Sequence, residues 1–257
     1  MRIATWNVNS LNVRLPRVED WLGYAMPDVL CLQETKLADT AFPAVAFETL
    51  GYQSVHHGGG RWNGVAILSR LPITDVVYGF CQGLEADRDA RLVSATCGDV
   101  RVSSAYVPNG RSVGSEHFAY KLSWLDRLRR HLDATCDPDA PVAVCGDFNV
   151  APEDRDVWDP ARFVGSTHVT EGEREALARL QAWGLEDAFR IRYQEDRLFT
   201  YWDYRAGDFH EHRGMRIDLI LVSKPVAEKV SYALIDRFAR KGKLPSDHAP
   251  LLIDVAD

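Results

Sequence analysis

The chain has 257 residues, 46% of them apolar, and a net charge of −7; it can bury a large core but is too acidic to coat nucleic acid through overall charge. No stretch approaches the roughly 18 uninterrupted apolar residues of a membrane span, and Met1-Arg-Ile-Ala-Thr-Trp6 runs straight into a candidate strand rather than a signal peptide, so a cytoplasmic protein with no membrane partner is expected. The five cysteines (Cys31, Cys81, Cys97, Cys136, Cys145) lack a Cys-x-x-Cys spacing, and their odd number suits neither a disulfide framework nor a zinc site; Cys31 and Cys145 read as core.

Apolar runs rich in Val, Ile and Ala, bounded by Gly, Pro, Asn and Asp, have the pattern of buried strands. In chain order they predict strands at 3–6, 29–32 and 65–68, with a helix at 15–24 whose Leu15, Val18, Trp21 and Leu22 share one face. The region 74–101 reads as a meander that includes a strand at 92–97, followed by a strand at 102–107. A helix at 116–132 carries Phe118, Leu122, Leu125, Leu128 and Leu132 on one side, a strand follows at 142–145, and helical periodicity returns at 171–183. Strands at 217–222 and 251–255 close the chain. With strands outnumbering helices and no linker or low-complexity tract, the expectation is α/β (α+β): one domain over 1–257, two packed mixed sheets with helices outside. The two halves could repeat one layered unit, although no residue similarity demonstrates it.

Polar side chains stand where these runs break off: Asn7, Glu34, Asp147, Asn149, Asp218, Asp247 and His248. A fold that gathers them on one rim would suit metal-assisted phosphate chemistry, which needs a cation, a base for water and a donor to the phosphate oxygens. Oxygen ligands with few histidines select magnesium or manganese over zinc; Glu34 and Asp247, with Asn7, fit that set, and Asp147, Asn149 and His248 stand as further candidate ligands. Asp147 ends a strand, Gly146 lets the backbone approach a ligand, and Asn149 shares Asp147's side in extended geometry. A Gly-Asp pair is equally common in ordinary turns, and only the constellation favours a site. Asp218 could fix the tautomer of His248 and keep it charged as a phosphate donor; the remaining histidines (His56, His57, His117, His131, His168, His210, His212) read as surface or loop residues.

Between 200 and 216, Tyr201-Trp202-Asp203-Tyr204-Arg205 alternates aromatic and charged groups, and Arg213 and Arg216 follow. Aromatic faces can stack on bases while arginines track a phosphate backbone; equally, Trp202 could pack a strand on the core. Arg240, Lys241 and Lys243 form a second basic group. Tyr106 heads a Pro-Asn-Gly-Arg turn that can reach an anion, or else it is half-buried packing. Arg111 and Lys121 are phosphate contacts or solvated surface.

The blocks Asn7-Val-Asn-Ser-Leu, Leu32-Gln-Glu-Thr-Lys36, Tyr106-Val-Pro-Asn-Gly-Arg111, Gly146-Asp-Phe-Asn149, Arg216-Ile-Asp-Leu219 and Ser246-Asp-His-Ala-Pro250 closely resemble the exonuclease III family of apurinic/apyrimidinic (AP) endonucleases, in the family's order and over nearly the whole chain. The resemblance implies a four-layered α/β sandwich and magnesium-dependent cleavage of duplex DNA 5′ to abasic sites, with 3′-to-5′ exonuclease and 3′-phosphatase activity at 3′ ends; manganese would substitute. It further implies that Glu34 is the principal metal ligand supported by Asn7, and that Asp247 ligates metal or orients its neighbour. Asp147 would activate water, Asn149 hold water or a phosphate oxygen, and the Asp218–His248 pair, Tyr106 and Asn109 contact the phosphate. Tyr201, Met215 and Ile217 would wall the pocket for a flipped abasic sugar. Many relatives have Phe or Trp at Tyr201 and some have Trp at Met215, while Asn12 replaces a common arginine. A monomer with no obligate protein partner, nucleoid-associated through DNA, is the family expectation. Two other readings are a phosphatase or phosphodiesterase of the same superfamily acting on inositol phosphates or phospholipids, and a silent DNA-binding module; competent residues at every expected catalytic position argue against the latter.

Overall fold

Strands β1 (Arg2–Asn7) and β2 (Val29–Gln33) pair in parallel, and α1 (Leu11–Ala25) makes the crossover between them in a computed structural model that describes residues 1–81 and 83–256. Both strands are covered on both faces, so their sequences read as unbroken apolar runs rather than alternating ones. In α1 the buried Leu11, Val18, Trp21, Leu22 and Ala25 recur at helical spacing, and the helix ends where Met26 turns left-handed (φ 45°) ahead of Pro27. Next come α2 (Ala44–Thr49), β3 (Gln53–His57) and β4 (Val65–Ser69), then the antiparallel meander β5 (Ile73–Tyr78), β6 (Leu92–Cys97) and β7 (Val100–Tyr106). Helix α3 (Glu116–Thr135), capped by Ser115, crosses to β8 (Val142–Asp147), which lies parallel to β7. The remaining elements are α4 (Glu171–Ala182), β9 (Leu185–Asp187), α5 (Ala188–Arg192), β10 (Asp218–Ser223), α6 (Lys224–Ala227), β11 (Val230–Ile235) and β12 (Leu251–Val255).

The strands form two six-stranded sheets, ordered β11-β12-β1-β2-β4-β3 and β5-β6-β7-β8-β10-β9. Each contains one parallel pair joined by a helix, and the run β1-α1-β2-β3-β4 is paired in the same spatial order as β7-α3-β8-β9-β10. An antiparallel hairpin completes each sheet at the equivalent strand: β11–β12 on β1 and β5–β6 on β7. The duplication is thus present in topology where residue similarity does not reveal it.

Alternate residues of each strand serve different layers. Ile3, Cys31, Ile67, Val93, Cys145, Ile220 and Ile253 meet between the sheets. Trp6, Leu30, Leu32 and Leu68 face outward under α1 and α2, and Val144, Leu219 and Leu221 lie under Trp124, Leu128 and Leu180 of α3 and α4. The result is the expected four-layered sandwich, with Cys31 and Cys145 in the core. Two histidines depart from the surface reading: His131 is buried on α3 and His56 on β3, where its Nε2 bonds Thr35 and its Nδ1 lies 2.8 Å from Asp39. Among the described residues no helix is long and apolar enough to cross a membrane.

Candidate active site

The fold places the polar strand ends on one rim. Because β1 and β2 are parallel, Asn7 and Glu34 emerge at the same edge; because β7 and β8 are parallel, with Tyr106 opposite Asp147, these two do likewise. Strand β10 is antiparallel to β8 with Asp218 opposite Asp147, and β12 is antiparallel to β1, so the start of β10 and the segment ahead of β12, bearing Asp247 and His248, come to the same edge. The two sheets meet where Asn7 Nδ2 donates to Glu34 Oε1 (2.9 Å) and to Asp147 Oδ2 (2.9 Å). His248 Nδ1 lies 2.7 Å from Asp218 Oδ2, and its Nε2 faces Asp147 Oδ2 at 3.8 Å. Ser246 locks the histidine segment to β1 by donating to the Asn7 carbonyl (2.6 Å) and accepting from His248 N–H (3.2 Å).

Asn149 reaches the site by a route other than extended geometry. It has a left-handed backbone (φ 51°), and its N–H donates to Asp147 Oδ1 (2.9 Å), an Asx turn that folds the chain back over the carboxylate. Its side chain accepts from Asn109 Nδ2 (3.1 Å) and donates to the Val107 carbonyl (3.0 Å). Gly146 also has a different reason from the one expected: a Cβ there would sit 1.8 Å from the Ala105 carbonyl oxygen, so the glycine serves the β7–β8 contact rather than a ligand. Left-handed backbone recurs at Glu34 and Lys36 (both φ 53°) and Asn9 (φ 44°). Such conformations cost roughly 1–3 kcal/mol each in non-glycine residues and cluster at functional sites.

Sequence reading did not single out Asn9 and Lys36 as site residues, yet both join it. Asn9 donates to Asp247 Oδ1 (3.1 Å) and accepts from Lys36 Nζ (2.5 Å), which also contacts Glu34 Oε2 (2.9 Å). Each stands two residues beyond a predicted ligand, a spacing that could have flagged them. Burial would raise the pKa of Glu34, but Lys36 and then Asn7 hold it below the usual carboxylate range. At Asp147, burial, Asp218 and Glu34 outweigh His248 and Asn7 and push the pKa up to about 7. Burial disfavours a charged His248, but Asp218 and then Asp147 lift its pKa to about 10. Burial, Glu34 and Asp147 drive the Tyr106 phenol well above its ordinary range, while Arg91 stacks 4.8 Å from the ring.

The donor set fits a hard divalent cation. Carboxylates of Glu34, Asp147, Asp218 and Asp247 converge there, and Asp218 Oδ1 is buried without a hydrogen-bond partner. The ligand atoms of Asp147, Asp218 and His248 lie within 4.8 Å of one another, but His248 spends Nδ1 on Asp218 and faces Asp147 with Nε2 at 3.8 Å, an ion-pair distance rather than a hydrogen bond. Glu34 with Asn7 and Asp247 remains the open oxygen-rich set.

Several predicted DNA contacts lie elsewhere. Lys121 is fully buried and paired with Glu173. Arg216 is fully buried between Asp156 (2.7 Å) and Asp187 (2.6 Å), the former shared with Arg190. Trp202 packs edge-on against Phe199 and Phe209 in the core, and Arg240, also buried, bonds the Ser246 and Trp202 carbonyls. Ile217 is buried beneath Met215 and Tyr201 and supports the pocket without lining it. Tyr201 and Met215 do line a cavity of about 480 Å³ with Trp158, Phe163, Arg111 and Arg213, and Tyr201 packs 4.8 Å from the His248 ring. Arg205 is solvent-exposed, paired with Asp203. A second cavity, about 390 Å³, shares Arg111 with the first and is lined by Asn109, Tyr106, Arg88 and Trp62, of which Trp62 is exposed.

Residues 4–248 match the endonuclease/exonuclease/phosphatase family. Exodeoxyribonuclease III of Haemophilus influenzae is 34% identical over 263 residues, covering 98% of each chain. An AP endonuclease from Archaeoglobus fulgidus superposes with a TM-score of 0.96 at 38% identity and 99% coverage of both chains. A 3′ phosphatase from Neisseria, solved with a product DNA hairpin, gives the same TM-score and identity over 100% of both chains.

Proposed function

The chain belongs to the endonuclease/exonuclease/phosphatase family, on its exonuclease III branch, and from that membership we propose that it is a DNA-repair nuclease that hydrolyses the phosphodiester 5′ to abasic sites in duplex DNA, with 3′–5′ exonuclease and 3′-phosphatase activity at 3′ ends. The observation that carries the reading is the meeting of both sheet rims at Asn7, Asp147 and the Asp218–His248 pair, beside an aromatic cavity large enough for one sugar. An abasic nucleotide has neither stacking nor pairing to lose, which lowers the cost of turning it into such a cavity.

The residues divide the chemistry as follows. Asp147, with a pKa near neutrality, accepts the proton of a water held by Asn149 as that water attacks phosphorus, and O3′ leaves with the bonding pair and takes a proton from solvent. His248, kept cationic by Asp218, donates to a phosphate oxygen as negative charge builds. Asn109 and Tyr106 contact the same phosphate, and Tyr201 and Met215 enclose the sugar. Arg111, Arg205 and Arg213 track the strand. Glu34, Asn7 and Asp247 would hold magnesium, or manganese in its place, which supplies charge neutralisation on the phosphate oxygens. We read 1–257 as one catalytic domain, acting as a cytoplasmic monomer.

The test is gel-resolved cleavage of a labelled duplex bearing one stable abasic analogue, with magnesium or with EDTA, beside an undamaged recessed duplex. A single magnesium-dependent cut 5′ of the lesion is expected, with laddering of the recessed strand. Phosphate release from a soluble inositol phosphate with neither DNA cut would overturn the reading.

A further inference from the structure

Resting on the nuclease reading above, we propose that Lys121 is a positioning residue: its buried ammonium ties the Asn109 and Asn149 turns to one point and so sets how the two amides meet the phosphate. Lys121 Nζ donates to the main-chain carbonyls of Asn149 (2.6 Å) and Asn109 (3.3 Å), approaches Thr167 Oγ1 (3.2 Å) and pairs with Glu173. An ammonium has three protons, so these acceptors exhaust it and none is left for a DNA phosphate.

The clamp is itself built rigidly. Glu173 is the N3 residue of the α4 capping box with Thr170, so the helix start fixes its carboxylate. That carboxylate also accepts from the Thr167 hydroxyl (2.7 Å) and His168 N–H (2.9 Å). The Asn149 carbonyl takes a further contact from His168 Nδ1 (2.5 Å), and Thr167 Oγ1 reaches the Asn109 carbonyl (3.0 Å). At Gly110 (φ 87°) an added Cβ would lie 2.8 Å from Thr167 Oγ1 and 3.0 Å from Lys121 Cδ; the turn after Asn109 is closed tightly onto the lysine. Both asparagines thus have their backbones held from α3 and α4 while their side chains bond each other at 3.1 Å. Loss of the ammonium would free two turns whose amides must hold their positions to within about an ångström to meet the reacting group.

The test pairs Lys121→Met with Glu173→Gln, so that no buried carboxylate is left without its counter-charge. With the abasic duplex that the parent cuts, the double variant is expected to lose about 10²-fold in kcat with KM little changed, the effect of roughly a 1 Å misplacement. The salt dependence of duplex binding should keep the parent slope. A kcat within about twofold of the parent in the folded double variant overturns the proposal. So does a slope shallower by ~0.9, which would return Lys121 to a phosphate. If the double variant does not fold, Thr167→Val, which leaves the ion pair in place, decides on the same readouts, with a several-fold kcat loss expected. Absence of cutting by the parent itself would instead refute the nuclease reading.

Discussion

Replacing Asp147 by Asn should make the metal-free protein more stable at alkaline pH and nearly inactive. The Asp147 carboxyl has its pKa raised from 3.8 to about 7 by burial first, then Asp218 and Glu34. A raised carboxyl pKa means that the folded state binds the proton more tightly than the unfolded chain. Its stabilising effect is therefore complete below about pH 3.8 and lost as pH rises through about 7. The penalty at pH 8 is on the order of 4 kcal/mol, from 1.36 kcal/mol per pKa unit. Asn removes the charge, but its oxygen can satisfy only one of the two donors that now face the carboxylate, Asn7 Nδ2 and Asn149 N–H; leaving the other unmet costs about 1–3 kcal/mol. A net gain of about 1–3 kcal/mol remains, equivalent to a few degrees in Tm for a chain of this size. Removing the base should lower kcat by about 10²–10⁴. Melts in EDTA at about pH 8, with single-turnover cleavage of an abasic duplex in magnesium, check both parts. A lower Tm at pH 8 would mean that the charged carboxylate does not burden the fold, and cleavage near the parent rate that it is not the base.

Asp218→Asn should cost about 10²-fold in kcat with little change in KM, because it removes the partner that keeps His248 cationic; a loss confined to KM would place the pair in ground-state binding. Trp202→Ala should destabilise the fold by about 3–5 kcal/mol through a core cavity and leave the DNA affinity of the folded protein unchanged, as urea titration and a binding isotherm would establish. His131 accepts the Cys81 N–H through Nδ1 (3.0 Å), and burial, with Arg101, lowers its pKa from 6.5 to about 4. Stability should fall by up to about 3 kcal/mol as pH drops through that window, since only the unfolded chain takes the proton there. His131→Asn, which retains an acceptor in place of Nδ1, should flatten the dependence of the urea midpoint on pH; an unchanged slope would exclude His131 as its source.

The strands that frame the site were readable because each parallel pair is buried on both faces and so appears as a plain apolar run, as at Val29–Gln33 and Val142–Asp147. Of the four edge strands only β5, inside the 74–101 meander, was readable. Gln53–His57 carries mostly polar side chains, Leu185–Asp187 is too short to show a period, and Val230–Ile235 has only one neighbour. Polar residues at strand ends flagged the site because an acidic or amide side chain closing an apolar run has little structural reason to be there. Buried cations left no such mark. Lys121 and Arg216 look like surface charges until Glu173 and Asp156, distant in sequence, are brought against them. Asn149 comes beside Asp147 through an Asx turn rather than by strand alternation, and such a turn leaves no periodic mark because it depends on a side chain bonding the main chain two residues on.

The chemistry of the ends left at an abasic analogue that cannot undergo elimination reports most directly on what this rim does. Hydrolysis at the rim formed by Asp147, Asn149 and His248 predicts a magnesium-dependent nick with a 3′-hydroxyl that a polymerase extends and a 5′-phosphate on the abasic sugar. A nick on the 3′ side, or one that persists in EDTA, would contradict it.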